Sequence, residues 1–296
     1  MPRYIEKSVA DEDGLRAGTE LPGPLPHNLI PRDFLRMVED LYDLLHDLNA
    51  VLHDKSYDRL EELLDPAGFS GLVSKAAADG IAKFSRALVK NQHHNGYPDL
   101  LPRGVYPGDA TPHGMKGGLE IKASRYEGGW QAHGPRAGWF CVLQFEIDRN
   151  EAKALHEREP TVVRAVLVAE LVAEDWSWQP AGEGRIRSGT ASVRPSGEMK
   201  LRTGAVWVDP DYEAAHQERL RRARLRVFSE QAPGLVLASL QAHGQDRTAT
   251  AIADDLSAVA QVPAAALISR VKGALTKLVN TGDVVRVRPG RFRSAV

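Results

Sequence analysis

The sequence contains a single cysteine, Cys141, among its 296 residues. One thiol can form neither an internal disulfide nor a cysteine-based zinc cluster, and we therefore expect an intracellular protein of the cytoplasmic, prokaryotic type. Hydrophobic runs of membrane-spanning length are also missing, as are glycine-rich phosphate loops of the GxGxxG and Walker types. These absences argue against a membrane protein and against a nucleotide-driven motor.

Charge is nearly balanced over the whole chain but not along it. The formal net charge is −1. Residues 1–65 hold 7 basic and 15 acidic residues, whereas residues 216–296 hold 13 basic and 6 acidic residues. The C-terminal part therefore carries a net charge of +7, and it is the expected nucleic-acid-binding surface.

Two short strings suggest a site for chemistry. The first is Tyr97-Pro98-Asp99, and the second is GLEIKAS at residues 118–124. An acid-x-lysine triplet is weak evidence alone, because 39 acids and 11 lysines give about 1.4 such triplets by chance. Three are present, but only Glu120-Ile121-Lys122 follows a Pro-Asp pair at a short distance.

The pattern of the neighbouring residues strengthens the evidence that this triplet belongs to a functional site. Apolar residues alternate with Glu120, Lys122 and Ser124, which predicts a strand with one apolar and one polar face. Glu120 and Lys122 then point the same way. A carboxylate that binds a hard divalent cation and an ammonium that orients water suit metal-assisted hydrolysis. The alternative is a surface ion pair on an ordinary strand, with Asp99 in a Pro-Asp turn.

The order and spacing of these strings resemble the PD-(D/E)XK nuclease superfamily, over about residues 70–175. The resemblance implies that Asp99 and Glu120 bind Mg²⁺, with Mn²⁺ as a possible substitute, and that Lys122 is the catalytic lysine. It also implies a possible role for Gln144, and for a further acid on the leading helix. Asp79 is the only acid which that helix offers, and the further acid could instead be missing or come from Glu61 or Glu62.

The resemblance implies an α/β (α+β) fold with a restriction-endonuclease-like mixed sheet flanked by helices. Its core would be a helix, three antiparallel strands, a helix and a further strand. The sequence offers a leading helix over residues 73–90, strands near 96–101, 119–124 and 139–147, a short helix over 151–157, and a strand over 161–173.

The rest of the chain divides into further segments. We predict an extended arm (1–30), an N-terminal helical region (31–69), the nuclease core (70–210), a basic linker helix (211–230) and a C-terminal domain (231–296). A leucine stripe between Leu41 and Leu52 could form a homodimer, or it could pack on the core.

Residues 231–296 predict three helices followed by a basic hairpin, with Thr248 as an N-cap and Pro263 at a helix start. This arrangement resembles a winged helix-turn-helix domain. The resemblance implies that residues 263–279 enter a groove of DNA while the hairpin contacts the backbone. Winged helices also bind proteins, so this alternative stays open. The expected phosphate contacts are Arg270, Lys272, Lys277, Arg286, Arg288, Arg291 and Arg293.

A glycine-rich loop over residues 125–138 lies between two of the predicted strands. It contains Trp130, His133 and Arg136, which could contact DNA bases or follow a groove, or could be plain hairpin residues. The sequence thus predicts a magnesium-dependent endonuclease of the restriction type that acts on double-stranded DNA. The alternatives are a non-catalytic DNA-binding regulator on a degenerate nuclease core and a protein-interaction scaffold.

Overall fold

The computed structural model describes residues 1–114, 117–132, 134–180 and 189–295, and its architecture is mixed α/β. Two compact units divide the chain: unit 1 is Met1–His216 and unit 2 is Gln217–Val296. The α-helices are α1 (Pro31–Asp54), α2 (Leu60–Leu63), α3 (Pro66–Phe84), α4 (Pro195–Thr203), α5 (Glu213–His243), α6 (Ala249–Ala260) and α7 (Ala264–Thr281). The strands are β1 (Leu88–Lys90), β2 (Leu100–Pro102), β3 (Leu119–Ser124), β4 (Gln131–Ala132), β5 (Gly138–Glu146), β6 (Val162–Leu171), β7 (Trp176–Gln179), β8 (Thr190–Val193), β9 (Ala205–Val208), β10 (Val284–Arg288) and β11 (Arg291–Ser294).

Unit 1 is built on a mixed sheet flanked by helices. Its strand order is β1-β2-β3-β5-β6-β9. The pair β3 and β5 is parallel, and every other neighbouring pair in this sheet is antiparallel. A parallel pair needs a crossover connection rather than a tight hairpin. The expectation that residues 139–147 run antiparallel to residues 119–124 is therefore wrong.

The two faces of this sheet bury different cores. The α3 face carries Leu119 and Ile121 and packs against α1 and α3. The α4 face carries Phe140 and Val142 and packs against α4 and a small sheet of order β4-β8-β7. Because strand side chains alternate between faces, the polar residues of β3 project from the α4 face.

The leading helix differs from its predicted range. It begins at Pro66, where the Asp65 carboxylate accepts a hydrogen bond from the Gly68 amide, and it ends at Phe84. The Ser85 hydroxyl then accepts a hydrogen bond from the Leu88 amide, and Leu88–Lys90 pairs with β2 as an edge strand. Because Ser85 binds the backbone in a non-helical conformation, the helical periodicity stops there.

The predicted short helix over residues 151–157 is also wrong. This segment is a turn that ends in a single 3-10 turn at Leu155–Glu157. The Asp148 carboxylate accepts hydrogen bonds from the Asn150 and Glu159 amides, and the Asn150 side chain accepts one from Ala152. These side-chain acceptors compete with helical carbonyls for the same amides.

The N-terminal leucine stripe packs largely within unit 1. Leu41 and Leu45 are buried in the core of the α3 face, together with Phe34 and Val38. Leu44 and Val51 stay exposed on the other side of α1. The packing alternative therefore accounts for the buried half of the stripe.

Unit 2 contains α5 from Gln217 onwards, then α6, α7 and the antiparallel β10–β11 hairpin. The predicted separate helices at 212–228 and 235–242 are one helix, which continues through Pro233. A proline removes one backbone donor, but the burial of Phe228, Val236 and Leu240 in the unit 2 core keeps the helix whole. Thr248 caps α6 as predicted, by accepting a hydrogen bond from the Ala251 amide.

Candidate active site

The register of β2 and β3 brings Asp99 and Glu120 together. Leu100 pairs with Leu119 across these antiparallel strands, so Asp99 and Glu120 are opposite one another at the next position. The Asp99 amide donates to Glu120 Oε2 over 3.3 Å, and the Ile121 amide donates to Asp99 Oδ2 over 2.8 Å. Each carboxylate thus accepts a hydrogen bond from the strand that carries the other.

Two features allow this close approach. Gly118 has φ of 141°, and a Cβ placed there would lie 2.3 Å from Pro98 Cγ and 2.4 Å from the Leu100 carbonyl oxygen. Only glycine fits such a position without displacing β2. The buried Asn91 side chain donates to the carbonyls of Pro98 and Thr111 over 3.0 and 2.9 Å, which fixes the chain that leads into Asp99.

Glu120 and Lys122 share the α4 face, as the alternating pattern predicts. Lys122 Nζ donates to Glu120 Oε1 over 2.6 Å. The Glu120 side chain is 10% exposed and that of Lys122 is 34% exposed, so the carboxylate is recessed while the ammonium reaches solvent. We call Asp99, Glu120 and Lys122 the acid–lysine site.

The electrostatics of this site favour a proton or a cation. Burial, followed by the charge of Glu120, raises the pKa of Asp99 to about 7. The Ile121 amide and Lys122 oppose this rise. Burial also raises the pKa of Tyr97 to about 12, and the charges of Glu120 and Asp99 add to the effect. Two neighbouring, half-buried carboxylates repel each other, and a bound proton or cation relieves this repulsion.

A magnesium ion fits this donor set. Mg²⁺ favours one or two carboxylates and fills its remaining positions with water and substrate oxygens. Asp99 and Glu120 supply that pair. Among the residues that the structure describes, no group of three or more His, Cys, Asp and Glu side chains could hold a metal ion, so backbone carbonyls, water and phosphate would have to complete the coordination.

The other acids considered from the sequence lie elsewhere. Asp79 is on α3, which packs on the α3 face, and its carboxylate pairs with Lys90 over 2.6 Å. Glu61 is buried and accepts a hydrogen bond from the Thr161 hydroxyl, while Glu62 pairs with arginines. Each of these carboxylates pairs with another side chain, and none of these contacts is with Asp99 or Glu120.

Gln144 lies on the α4 face, in register with Ser124 of β3 and next to the row that carries Lys122. Its amide nitrogen donates to the Tyr212 hydroxyl over 2.8 Å, and that hydroxyl donates to Glu127 Oε1 over 3.1 Å. Gln144 Oε1 is buried and has no hydrogen-bond partner among the described residues. The hydrogen bond to Tyr212 therefore fixes the side chain, and its carbonyl oxygen is left as an acceptor without a described partner on the face that carries Lys122.

The three residues of the glycine-rich loop that were predicted to contact DNA differ in their outcome. Trp130 is 5% exposed, packs in the core of the α4 face and lies under the Arg202 guanidinium, so the expectation that it contacts DNA is wrong. Arg136 is partly exposed, and its guanidinium is 4.1 Å from the centre of the Tyr97 ring. The predicted contact His133 lies outside the described residues.

The basic residues of unit 2 differ in whether they are exposed or already bind other protein atoms. Lys272, Lys277, Arg286 and Arg288 are exposed, and the Arg286 guanidinium lies over the Phe292 ring at 5.4 Å. Arg293 pairs with Asp246 over 2.7 Å. The remaining two arginines donate to protein atoms: Arg270 to Ser229 and the Ala266 carbonyl, and Arg291 to the Asp246 carbonyl.

Sequence reasoning missed the residues that position the site. Asn91, Gly118 and Tyr212 do so through backbone contacts or contacts distant in sequence, for which a single sequence carries no periodic signal.

No protein-family model matches this sequence, and no curated protein matches it. Within the described residues, no single helix is long and apolar enough to cross a membrane, and α6 and α7 meet these criteria only as a pair bent by 115°.

Proposed function

We propose that this protein is a magnesium-dependent nuclease that hydrolyses phosphodiester bonds of DNA. The observation that carries this proposal is the position of Asp99 opposite Glu120, with Lys122 on the same sheet face. Unit 1 would then have a restriction-endonuclease-like fold of the PD-(D/E)XK type. The mixed sheet with helices on its faces is compatible with that assignment.

Asp99 and Glu120 would hold the metal, and Mn²⁺ could replace Mg²⁺ there. The bound ion supplies charge that polarises the scissile phosphate and lowers the pKa of a coordinated water. The chain contributes the carboxylates and their orientation, which the Ile121 and Asp99 amides fix. It also keeps Glu120 largely away from solvent, where a charged ligand binds a cation more strongly.

Lys122 would act on the reacting oxygens. In the structure its ammonium donates to Glu120. When a cation occupies the carboxylates, the ammonium can donate instead to the attacking water or to a phosphate oxygen, and it then stabilises the negative charge that develops on the phosphate. Water adds to phosphorus, one ester P–O bond breaks, and the leaving oxygen takes up a proton.

Unit 2 would bind the DNA substrate. The α5–α6–α7 helices and the β10–β11 hairpin have the order of a winged helix-turn-helix domain, in which α7 enters a groove and the hairpin contacts the backbone. The exposed side chains of Lys272, Lys277, Arg286 and Arg288 support phosphate binding. The substrate class that we propose is double-stranded DNA, which two copies of the chain would cut on both strands.

A plasmid assay tests the nuclease proposal. Purified protein is incubated with supercoiled plasmid and Mg²⁺ or Mn²⁺, beside the Asp99→Ala and Lys122→Ala variants and a reaction with chelator. We expect cutting by the unmodified protein alone, and only with metal. Equal cutting by all three proteins would refute the assignment, because it would point to a contaminant or another site.

The second candidate is a non-catalytic DNA-binding protein, and the exposed cations of unit 2 favour it. Metal-independent DNA binding with no cleavage of modified or unmodified duplexes would support it over the nuclease. If the protein fails to bind DNA even at low salt, where phosphate contacts are tightest, a protein-interaction role replaces both.

A further inference from the structure

A cleft adjoins the acid–lysine site. Its volume is about 580 Å³, and its walls include Tyr97, Pro98 and Gly118. These residues belong to the two chain segments that lead into Asp99 and Glu120. An occupant of the cleft would therefore lie beside the two segments that carry the carboxylates. The volume is in the range of small-molecule sites, roughly 300–1,000 Å³.

The walls of the cleft suit a flat aromatic ring. Tyr97 and Trp139 both line it, and neither is fully buried. Tyr97 packs partly against the core of the α4 face and Trp139 partly against the core of the α3 face, and each ring contributes its exposed part to the cleft wall. Gly118 and Gly138 are further wall residues, and because they have no side chains a ring can lie directly against the backbone. Stacking of nucleobases on aromatic side chains is a common, sequence-tolerant way to hold unpaired bases.

The charges of the cleft suit a nucleotide rather than a neutral ring. The Arg136 guanidinium is stacked on Tyr97, and among the described residues it forms no ion pair with a carboxylate. It is therefore available to a phosphate. Glu170 lines the cleft and is exposed, and its carboxylate can accept a hydrogen bond from the exocyclic amino group of a base, as glutamate does with cytosine.

We propose that this cleft binds one unstacked nucleobase of the DNA substrate, next to the scissile phosphate. The proposal rests on the nuclease function, and it assigns to the protein the extrusion of a base, or the use of a strand in which a base is already unpaired. Extrusion costs least at a mismatch or in single-stranded DNA. Cytosine, adenine and guanine carry an amino group that matches Glu170, whereas thymine does not.

Photo-crosslinking tests this assignment without knowledge of a recognition sequence. The probes are random-sequence DNA oligonucleotides, single-stranded and duplex, in which 5-iododeoxycytidine replaces deoxycytidine. They are irradiated with the full-length protein in the presence of a chelator, so that no cleavage occurs. Mass spectrometry of the digested protein then locates the adducts. We expect adducts on Tyr97 or Trp139, because the iodinated base reacts with the aromatic ring on which it stacks.

Variants separate the cleft from general DNA binding. Ala137 is exposed and lines the cleft, so Ala137→Phe fills the space without disturbing the core. We expect it to reduce these adducts about tenfold, in line with the loss of one stacking interaction. Arg136→Ala should reduce them as well. Arg86→Ala is the matched control, because Arg86 is an exposed arginine of unit 1 outside the cleft.

The outcomes distinguish this proposal from the nuclease assignment. Adducts that avoid both Tyr97 and Trp139, or that persist at full yield in Ala137→Phe, overturn the base-binding cleft, even if the plasmid is cut. Adducts at Tyr97 or Trp139 that survive in Asp99→Ala, together with a plasmid that no protein cuts, refute the nuclease and leave the cleft as a strand-binding site.

Discussion

The triplets Glu120-Ile121-Lys122 and Glu198-Met199-Lys200 have the same pattern but different surroundings. On β3, Glu120 and Lys122 point to one side and pair with each other over 2.6 Å. On α4, Glu198 pairs with the buried Arg202 over 2.9 Å, and Lys200 pairs with Asp175 over 2.6 Å. Residues two apart share a face of a strand but not of a helix, so the same letters give one site in β3 and two separate ion pairs in α4.

The charge balance also differs. Glu198 and Lys200 each have an opposite charge of their own, whereas Glu120 pairs with Lys122, and among the described residues that same ammonium is the cation that lowers the pKa of Asp99. Counting these three described residues, the β3 cluster is one positive charge short when both carboxylates are ionised. That deficit is what a divalent cation would fill.

The largest expected difference is in cleavage. Lys122→Met should lower the rate of plasmid cutting about a thousandfold, because a hydrogen-bond donor positioned on the developing negative charge contributes up to this scale. Lys200→Met, the matched change on α4, should alter the rate less than about twofold, since its partner is a structural ion pair. Initial rates at saturating Mg²⁺ measure both. Similar losses in the two variants would break the distinction between the triplets.

The next difference is in stability. Glu198→Gln should lower the free energy of unfolding by about 3 kcal/mol, because it leaves the buried Arg202 guanidinium without its ionic partner. Glu120→Gln should cost less than about 1 kcal/mol, since Lys122 reaches solvent and the repulsion of Asp99 is relieved. Urea unfolding of the metal-free proteins measures both. A larger loss in Glu120→Gln would contradict this interpretation.

A third difference is in pH dependence. In the folded protein the pKa of Asp99 is about 7, so between about pH 4 and that value the folded state binds a proton that the unfolded chain has released. The contribution of Asp99 to stability is therefore present at low pH and is lost as pH rises through this window.

Urea unfolding between pH 4 and 8 in chelator measures this contribution. Relative to Asp99→Asn, the unmodified protein should lose stability with rising pH, by up to about 1.4 kcal/mol per pH unit. Burial lowers the pKa of His216 to about 4, which gives a slope of the opposite sign in both proteins, and it cancels in the comparison. Parallel curves would contradict the raised pKa of Asp99.

The smallest expected difference is in the salt dependence of DNA binding by two arginines of unit 2. Arg286 is exposed, whereas Arg293 is already paired with Asp246. Arg286→Ala should reduce the slope of log binding constant against log salt by about 0.9, the value for one phosphate contact. Arg293→Ala should reduce it less. Fluorescence anisotropy with a random duplex at several salt concentrations measures the slopes. Equal slopes in the two variants would show that the internal pair does not restrict Arg293.

Local patterns predicted much of this molecule. The alternation in residues 119–124 predicted a strand with Glu120 and Lys122 on one side, and the structure has both features. Thr248 was a correct helix cap, because an N-cap depends on a hydrogen bond three residues away. Features that depend on a few neighbouring residues could therefore be read from one chain.

Features that depend on distant contacts could not. The opposition of Asp99 and Glu120 requires the register of β2 and β3, and the parallel pairing of β3 with β5 depends on the path of the intervening chain. Trp130 looked like an exposed loop residue, but β4 pairs with β8 and carries it into a core. A segment far along the chain decides its burial, and the local composition gives no sign of that segment.

The close approach at Gly118 has a consequence for the ancestry of this site. Because a side chain at that position would collide with Pro98 and Leu100, distant relatives that keep the opposed carboxylates should also keep a glycine two residues before the strand acid. The signature is then Gly-x-Glu-x-Lys downstream of Pro-Asp. Glycine makes up 26 of 296 residues, so this requirement removes about nine in ten accidental matches. It would help to distinguish homologous sequences from chance matches.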